Sequence, residues 1–327
     1  MTGDSIAARR ERLAVAGALL AVYVIWGSTY LGIRIALEGF PPFLMAGVRF
    51  VIAGAILFAG LWLRGAPAPT PRQWGGAALV GGLLLLGGNG GVVVAEQSVA
   101  SGLAAVGVAT VALWSALFAG VWGQWPRRLE WAGLAVGFAG VALLNVGGGL
   151  RASPVGALAL LVGPVCWALG SMWSRRLDLP GGLMASAAEM LTGGAMLLAV
   201  SAAIGERAPA ALAARPTAAL AYLIVFGSWI GFSAYLYLLR RVRPAVATSY
   251  AYVNPVVAMV LGVAFGGERI EAGEWAAMPV ILAGVALVGF AHRRTGGSPG
   301  AAGREPGVRS VTGSRPGERE RHGSVES

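Results

Sequence analysis

Three ionisable residues stand inside or beside long apolar runs of this chain, where the bilayer would make a charge costly. Glu189 lies about two turns into "GLMASAAEMLTGGAMLLAV" (182–200), Arg49 lies in "PPFLMAGVRF" (41–50), and Glu96 follows Asn89 in "GGNGGVVVAEQS" (87–98). Such groups usually pair with one another or mark a transport path. Arg49 and Glu189 are 140 residues apart and occupy equivalent places in the two halves described below. They are read either as a structural ion pair that avoids two isolated buried charges, or as a state-dependent pair in which Glu189 binds a coupling proton. Glu96, near the outer end of its run, is either a rim group that draws substrate in or a solvated loop acid.

A second set of residues could hold a small molecule. In "ATSYAYVNPVVAMVLG" (247–262), Pro255 removes a backbone donor in mid-run, with Tyr250, Tyr252 and Asn254 beside it. A broken helix with polar neighbours at mid-membrane is where transporters bind substrate, although a packing kink satisfied by Ser and Thr has the same pattern. Counting 1.5 Å per residue, Thr110, Trp167, Ser228, Trp229 and Asn254 lie about 15 Å deep, and Trp26, Ser28, Asn89 and Trp114 about 20 Å. Trp26, Trp114, Trp167 and Trp229 are too deep for an interfacial belt, unlike Trp74, Trp125, Trp131 and Trp275 at the run ends. They either pack the core or line a cavity for the flat part of a substrate.

Other chemistry lacks its residues. His292 and His322 both fall in the C-terminal tail, so the apolar runs hold no His-based catalytic or metal cluster. The single cysteine, Cys166, excludes an intrachain disulfide and reads as a small buried hydrophobe. "GGNGG" follows no strand and precedes no Lys, so it is not a phosphate loop. No cofactor and no metal is expected.

The elements that must position these residues are membrane helices. The 327 residues are 56% hydrophobic and only 12% charged, with a mean hydropathy of +0.69, against about 25% charged in soluble domains. Ten stretches approach the ~20 residues that cross a bilayer: 13–33, 43–63, 74–95, 101–122, 131–147, 155–173, 181–204, 217–238, 245–265 and 275–291. The first is read as a spanning helix and not a cleaved signal. Residues 1–12 are expected to form a cytoplasmic N-terminal segment. The Gly-, Ser-, Pro- and Arg-rich tail 292–327 is expected to be disordered. With the N-terminus inside, the inner segments hold fourteen Arg and the outer loops five, so both termini are expected in the cytoplasm. The net charge of +10 is therefore a matter of topology, and no nucleic-acid partner is implied.

The chain also repeats itself. "EWAGLAVGFAGVALL" (130–144) and "EWAAMPVILAGVALV" (274–288) match at nine of fifteen positions, and Trp26 and Trp167 correspond at an offset of 141. Five spans per half, an odd number, invert the second half. The expected fold is all-α: a polytopic membrane protein with ten transmembrane helices in two inverted five-helix repeats, 13–147 and 155–291. Two such halves suit alternating access.

"YVIWGSTYLGIRIALEGFPPFLMAGVRF" (23–50) and "PAVATSYAYVNPVVAMVLGVAFGGERIEAGEWAAMPVILAGVALV" (244–288) resemble the two domains of the EamA family of the drug/metabolite transporter superfamily, and within it the YedA-type bacterial members. The resemblance implies a multi-pass protein of the bacterial inner membrane, mostly exporters of amino acids and small metabolites, with a cavity ringed by the first four helices of each half. The family's Pro and Gly-Glu correspond to Pro255 and Gly267-Glu268. The first half departs from this, with no proline in "VATVALWSALFAGVWGQW" (108–125) and Gln124 near the glutamate's place.

The expected function is a secondary transporter that exports a small metabolite, an amino acid or a related or drug-like compound, by alternating access. A membrane-embedded enzyme and a regulatory or structural component without transport are the alternatives. The expected partners are a small-molecule substrate and the lipid bilayer; working alone and working as a homodimer both stay open. Trp26, Asn89, Trp114, Trp167, Trp229, Tyr252, Asn254 and Pro255 are the expected substrate contacts, and Arg49, Glu189 and Glu96 the ion-pair or coupling residues.

Overall fold

A computed structural model describes residues 2–97, 101–121, 123, 125–144 and 154–266, together with 276, 279–284, 286–287 and 290 of the last helical stretch. Expectations for the tail, Gln124, Gly267-Glu268 and Trp275 lie outside the described residues.

The described elements are helices: α1 (Ile6–Leu37, continuous from Thr2), α2 (Pro42–Trp62), α3 (Pro71–Ala95), α4 (Ser101–Val121), α5 (Arg128–Leu144), α6 (Pro154–Trp173), α7 (Leu183–Ala203), α8 (Ala214–Arg241) and α9 (Tyr250–Gly266). Seven candidate spans among the described residues are long and apolar enough to cross a membrane: α1, α2, α3, α6, α7, α8 and Pro244–Leu261. The last predicted span is seen only in part, as helical residues between 276 and 290.

Local signals account for the helix ends. Thr70 caps α3 in a capping box with Gln73, and Pro71 takes the first helical position, where a missing N–H costs nothing. At α2, Pro42 fills the same role, and the Glu206 carboxylate accepts from Phe43 N (3.2 Å) and Leu44 N (2.7 Å). That carboxylate meets both orphan donors and the positive end of the helix dipole. The helix of α1 runs back to Thr2, through the expected N-terminal segment. The Arg and Glu residues there are good helix formers, and Glu11 pairs with Arg241 at 2.8 Å.

Two close crossings tie the early helices to the late ones. A Cβ on Gly54 of α2 would lie 3.0 Å from Leu191 N, and one on Gly194 of α7 would lie 2.9 Å from Val51 N. A Cβ on Gly140 of α5 would lie 2.8 Å from Ile281 N, and one on Gly284 would lie 2.5 Å from Gly137 N. Each contact has its counterpart: 54 with 194 and 51 with 191 at an offset of 140, and 140 with 284 and 137 with 281 at 144. Small residues let backbones approach where lipid supplies no hydrophobic drive.

Three membrane helices widen into π-helix: α1 at Val22–Trp26, α3 at Gly82–Asn89 and α8 at Leu223–Phe232. The stretches in α3 and α8 are related by the offset of 141. A π turn leaves carbonyls that a regular helix would fill, and hydroxyls take some of them. Ser28 Oγ donates to Ile25 O (2.6 Å) and Thr29 Oγ to Trp26 O (2.7 Å).

Candidate substrate cavity

The three π stretches converge on one cavity. Trp26 ends the first and Asn89 the second, while Gly227 and Phe232 belong to the third, and all four line it. The cavity volume is ≈ 70 Å³, room for a few water molecules. α1–α4 contribute to the wall from the first half, and α6, α8 and α9 from the second.

One end is closed by aromatic rings. Trp26 meets Trp167 edge-on (centroids 5.5 Å), Tyr250 edge-on (4.9 Å) and Tyr235 at a tilt (5.1 Å). Hydrogen bonds lock the cluster: Trp26 Nε1 donates to Gly227 O (3.0 Å) and Trp167 Nε1 to Tyr235 OH (3.1 Å). Ser171 Oγ donates to Trp167 O (2.6 Å), which leaves the Tyr235 hydroxyl as donor to Ser171 Oγ (2.6 Å). The tips of Trp167 and Tyr235 are thus satisfied within the plug, as buried amphipathic rings require.

The open part of the cavity carries unspent polarity. Arg49 is 3% exposed; its Nε donates to Ser228 Oγ (2.6 Å), its guanidinium lies 4.7 Å from the Phe50 ring centroid, and its Nη1 has no hydrogen-bond partner. Asn89 Oδ1 is buried without a partner too. Two residues of the cavity wall, one a charged donor and one an acceptor, therefore each hold a buried atom without a partner. Such groups are costly in a low-dielectric interior unless water or a ligand completes them.

Of the residues singled out in the sequence, Trp26, Asn89, Trp167, Asn254 and Arg49 line the cavity. Trp114 does not: it is half-buried on α4 and stacks on Phe118. Trp229 is 40% exposed, turned outward while Ser228 beside it is buried. Tyr252 packs instead against Ala109, Ala112, Leu134 and Ile281. Pro255 is absent from the lining, and α9 runs helical through it from Tyr250 to Gly266. The interruption lies at the turn Thr248–Ser249, where Thr248 Oγ donates to Pro244 O (2.9 Å) and Ser249 Oγ to Val246 O (2.7 Å). Asn254, with its amide nitrogen so turned, donates to Tyr23 O (3.2 Å) and Tyr250 O (3.1 Å).

The structure does not join Arg49 to Glu189. Residues 51 and 194 are level on antiparallel helices, so Arg49 lies level with about residue 196, about 10 Å from Glu189. Glu189 is fully buried, and neither carboxyl oxygen has a hydrogen-bond partner. The charge acting on it is Arg240, whereas Glu96 acts on Arg49 and is itself acted on by Arg34. Glu96 also has both oxygens buried without a hydrogen bond, so it is not a solvated loop acid.

Tyr235, Tyr30, Phe232 and Pro164 belong to the plug or the wall without having been singled out. Pro164, beside Gly163 within α6, was legible as a mid-span proline. For Tyr235, two turns before the end of its helix, an interfacial tyrosine has the same sequence signature.

The EamA-like transporter family model matches this chain twice, over residues 13–146 and 154–290. The chain belongs to the EamA-like transporter family. It is 51% identical over 280 residues to the uncharacterized inner membrane transporter YedA of Escherichia coli K12, covering 85% of this chain and 92% of the relative. It is 28% identical over 295 residues to a probable terminal-alkyne amino-acid exporter of Streptantibioticus cattleyicolor, covering 86% and 97%. A crystal structure with 21% identity shares the fold, with a TM-score of 0.69 over 86% of this chain and 99% of the other. As an EamA-like protein the chain is a multi-pass membrane transporter. That makes a membrane-embedded enzyme unlike what its relatives are named for.

Proposed function

We propose that this EamA-like protein exports a small metabolite carrying an anionic group, by alternating access of two inverted five-helix halves. The observation that carries the reading is the pair of unspent polar atoms, Arg49 Nη1 and Asn89 Oδ1, in an aromatic cavity walled by both halves. A carboxylate on Arg49 and an ammonium group on Asn89 Oδ1 would complete both, which an amino acid or a related compound does at once. The terminal-alkyne amino-acid exporter among its relatives favours that class.

Inverted repeats are supported by the two successive family matches, by the reciprocal glycine crossings, and by the π stretches paired between α3 and α8. Trp26 and its counterpart Trp167 meeting near the centre fits a pseudo-two-fold axis there. With the termini inside, as the Arg asymmetry suggests, Ile33 and Val92 lie toward the outer ends of α1 and α3, and Tyr235 toward the inner end of α8. The cavity then faces outward, and the Trp26–Trp167–Tyr235–Tyr250 cluster closes the inner side. Glu189, a buried carboxyl without a hydrogen-bond partner, is the coupling residue in this reading.

The test is metabolite profiling of culture medium from cells expressing wild type, Trp26→Ala or Asn254→Ala at matched membrane levels. A metabolite should accumulate outside with wild type and fall severalfold with either variant. Identical media from wild-type and empty cells would sink the export reading.

A further inference from the structure

We propose that the pocket between the inner ends of α6 and α8 binds a phosphate group, that of an anionic phospholipid headgroup or of a soluble phosphate compound. It is a different space from the substrate cavity and does not depend on which metabolite is moved. Its volume is ≈ 480 Å³.

Three guanidinium groups, Arg175, Arg176 and Arg240, line the pocket, and no acid lines it among the described residues. The one acid in the adjacent loop, Asp178, accepts from Gln73 Nε2 (3.3 Å) and is not among the lining residues. Arg175 Nη1 is buried without a hydrogen-bond partner. A positive-inside bias alone would scatter arginines into water or onto carboxylates, and the neighbouring ones behave so. Arg241 pairs with Glu11 (2.8 Å) and Arg243 with Glu130 (2.8 Å), whereas Arg240 lines the pocket without such an ion pair, its charge acting also on the buried Glu189. Guanidinium forks match the oxygens of a phosphate, offering two donors each in a fixed plane.

The remaining wall fits the rest of a lipid. Met172, Leu177 and Leu179 supply apolar surface, and Trp173 beside them is 39% exposed. The arginine count places this end of the bundle at the inner leaflet, where anionic lipids concentrate and basic pockets between helices take their headgroups. Ser171, bonded to Tyr235, lies one turn from the pocket's Ser174. A bound phosphate would therefore clasp α6 and α8 just beneath the plug and favour its closed form.

Purified full-length protein in detergent would be melted with phosphatidylglycerol, phosphatidylcholine, glycerol phosphate or inorganic phosphate, and retained lipid counted by native mass spectrometry. The variants are Arg175→Gln with Arg240→Gln, Arg240→Gln alone at an exposed position that folding tolerates, and Arg241→Gln as the charge-matched control. Phosphatidylglycerol should raise the melting temperature of wild type and Arg241→Gln. Its apparent affinity should fall tenfold or more in the double variant and severalfold in Arg240→Gln. An equal rise with glycerol phosphate or inorganic phosphate, lost in the same variants, would support the site and assign it to a soluble compound. The proposal is overturned if phosphatidylcholine matches phosphatidylglycerol, if no anion raises the melting temperature, or if Arg240→Gln and Arg241→Gln weaken binding equally.

Discussion

Gly54→Val and Gly194→Val are each expected to cost about 3 kcal/mol or more of stability, and by similar amounts. The first side-chain carbon would already lie about 3.0 Å from backbone atoms across the α2–α7 crossing, and backbone cannot rotate aside as a side chain can. Overpacking of a tight interior costs about 1–3 kcal/mol and more when backbones must part. Melting of detergent-purified protein, followed by size-exclusion chromatography, checks the magnitude. The equality is the sharper part. If the two glycines are counterparts about a pseudo-two-fold axis, each substitution opens the same seam from its opposite side. Gly60→Val, at a position on α2 with open space beside it, should be nearly neutral. A large loss at Gly54 with none at Gly194 would remove the crossing as support for inverted halves.

Arg49→Gln is expected to reduce export tenfold or more while leaving the protein folded. A hydrogen bond from a charged donor contributes about 1.5–3 kcal/mol, which corresponds to roughly a ten- to hundredfold change in binding. Arg49 already spends Nε on Ser228, so the group lost to substrate is the unpartnered Nη1. Arg49→Lys keeps the charge without the planar fork and should recover only part of the export. Because Arg49 and Glu189 lie about 10 Å apart along their crossing, Arg49→Gln and Glu189→Gln should be additive in stability; a double-mutant cycle with strong coupling would restore the ion-pair reading.

That ion pair shows where sequence reasoning stops. Equivalent residues of two inverted halves meet only where their helices cross. Gly54 against Leu191 and Gly194 against Val51 put the α2–α7 crossing between residues 52 and 53 of α2. Arg49 and Glu189 fall on opposite sides of it, so equivalence in sequence became separation in space. Trp26 and Trp167 sit near such a centre and do touch. Seven spans among the described residues were legible, because a run of apolar residues long enough for a bilayer has few other uses. The repeat was legible too, through Glu130-Trp131 and the segment that follows it.

The π stretches were not legible. "GLLLLGGN" (82–89) and "LIVFGSWIGF" (223–232) carry no polar periodicity to betray a wider turn. Where the turn widens, the inward face shifts: on α8 it presents Gly227, Ser228 and Phe232 and turns Trp229 outward. Pro255 misled in the opposite sense. Its missing N–H left the Ala251 carbonyl free, yet the helix continues, and the break moved to Thr248–Ser249, where hydroxyls take the loose carbonyls. Depth counted along an ideal helix predicts level but not facing, which is why Trp114 and Tyr252 turn out to lie off the cavity wall.

In the proposed two-state transporter, the aromatic plug divides an outward cavity from an inward pocket. Cys166 is the chain's single cysteine, so Cys166→Ala gives a background in which Val92→Cys reports the cavity and Leu177→Cys the pocket. A membrane-impermeant maleimide would be applied to right-side-out and inverted vesicles. The account predicts that position 92 labels from the outer side and position 177 from the inner side, and that adding Trp26→Ala exposes position 92 to both. Labelling of both positions from one side, with or without Trp26→Ala, would contradict it.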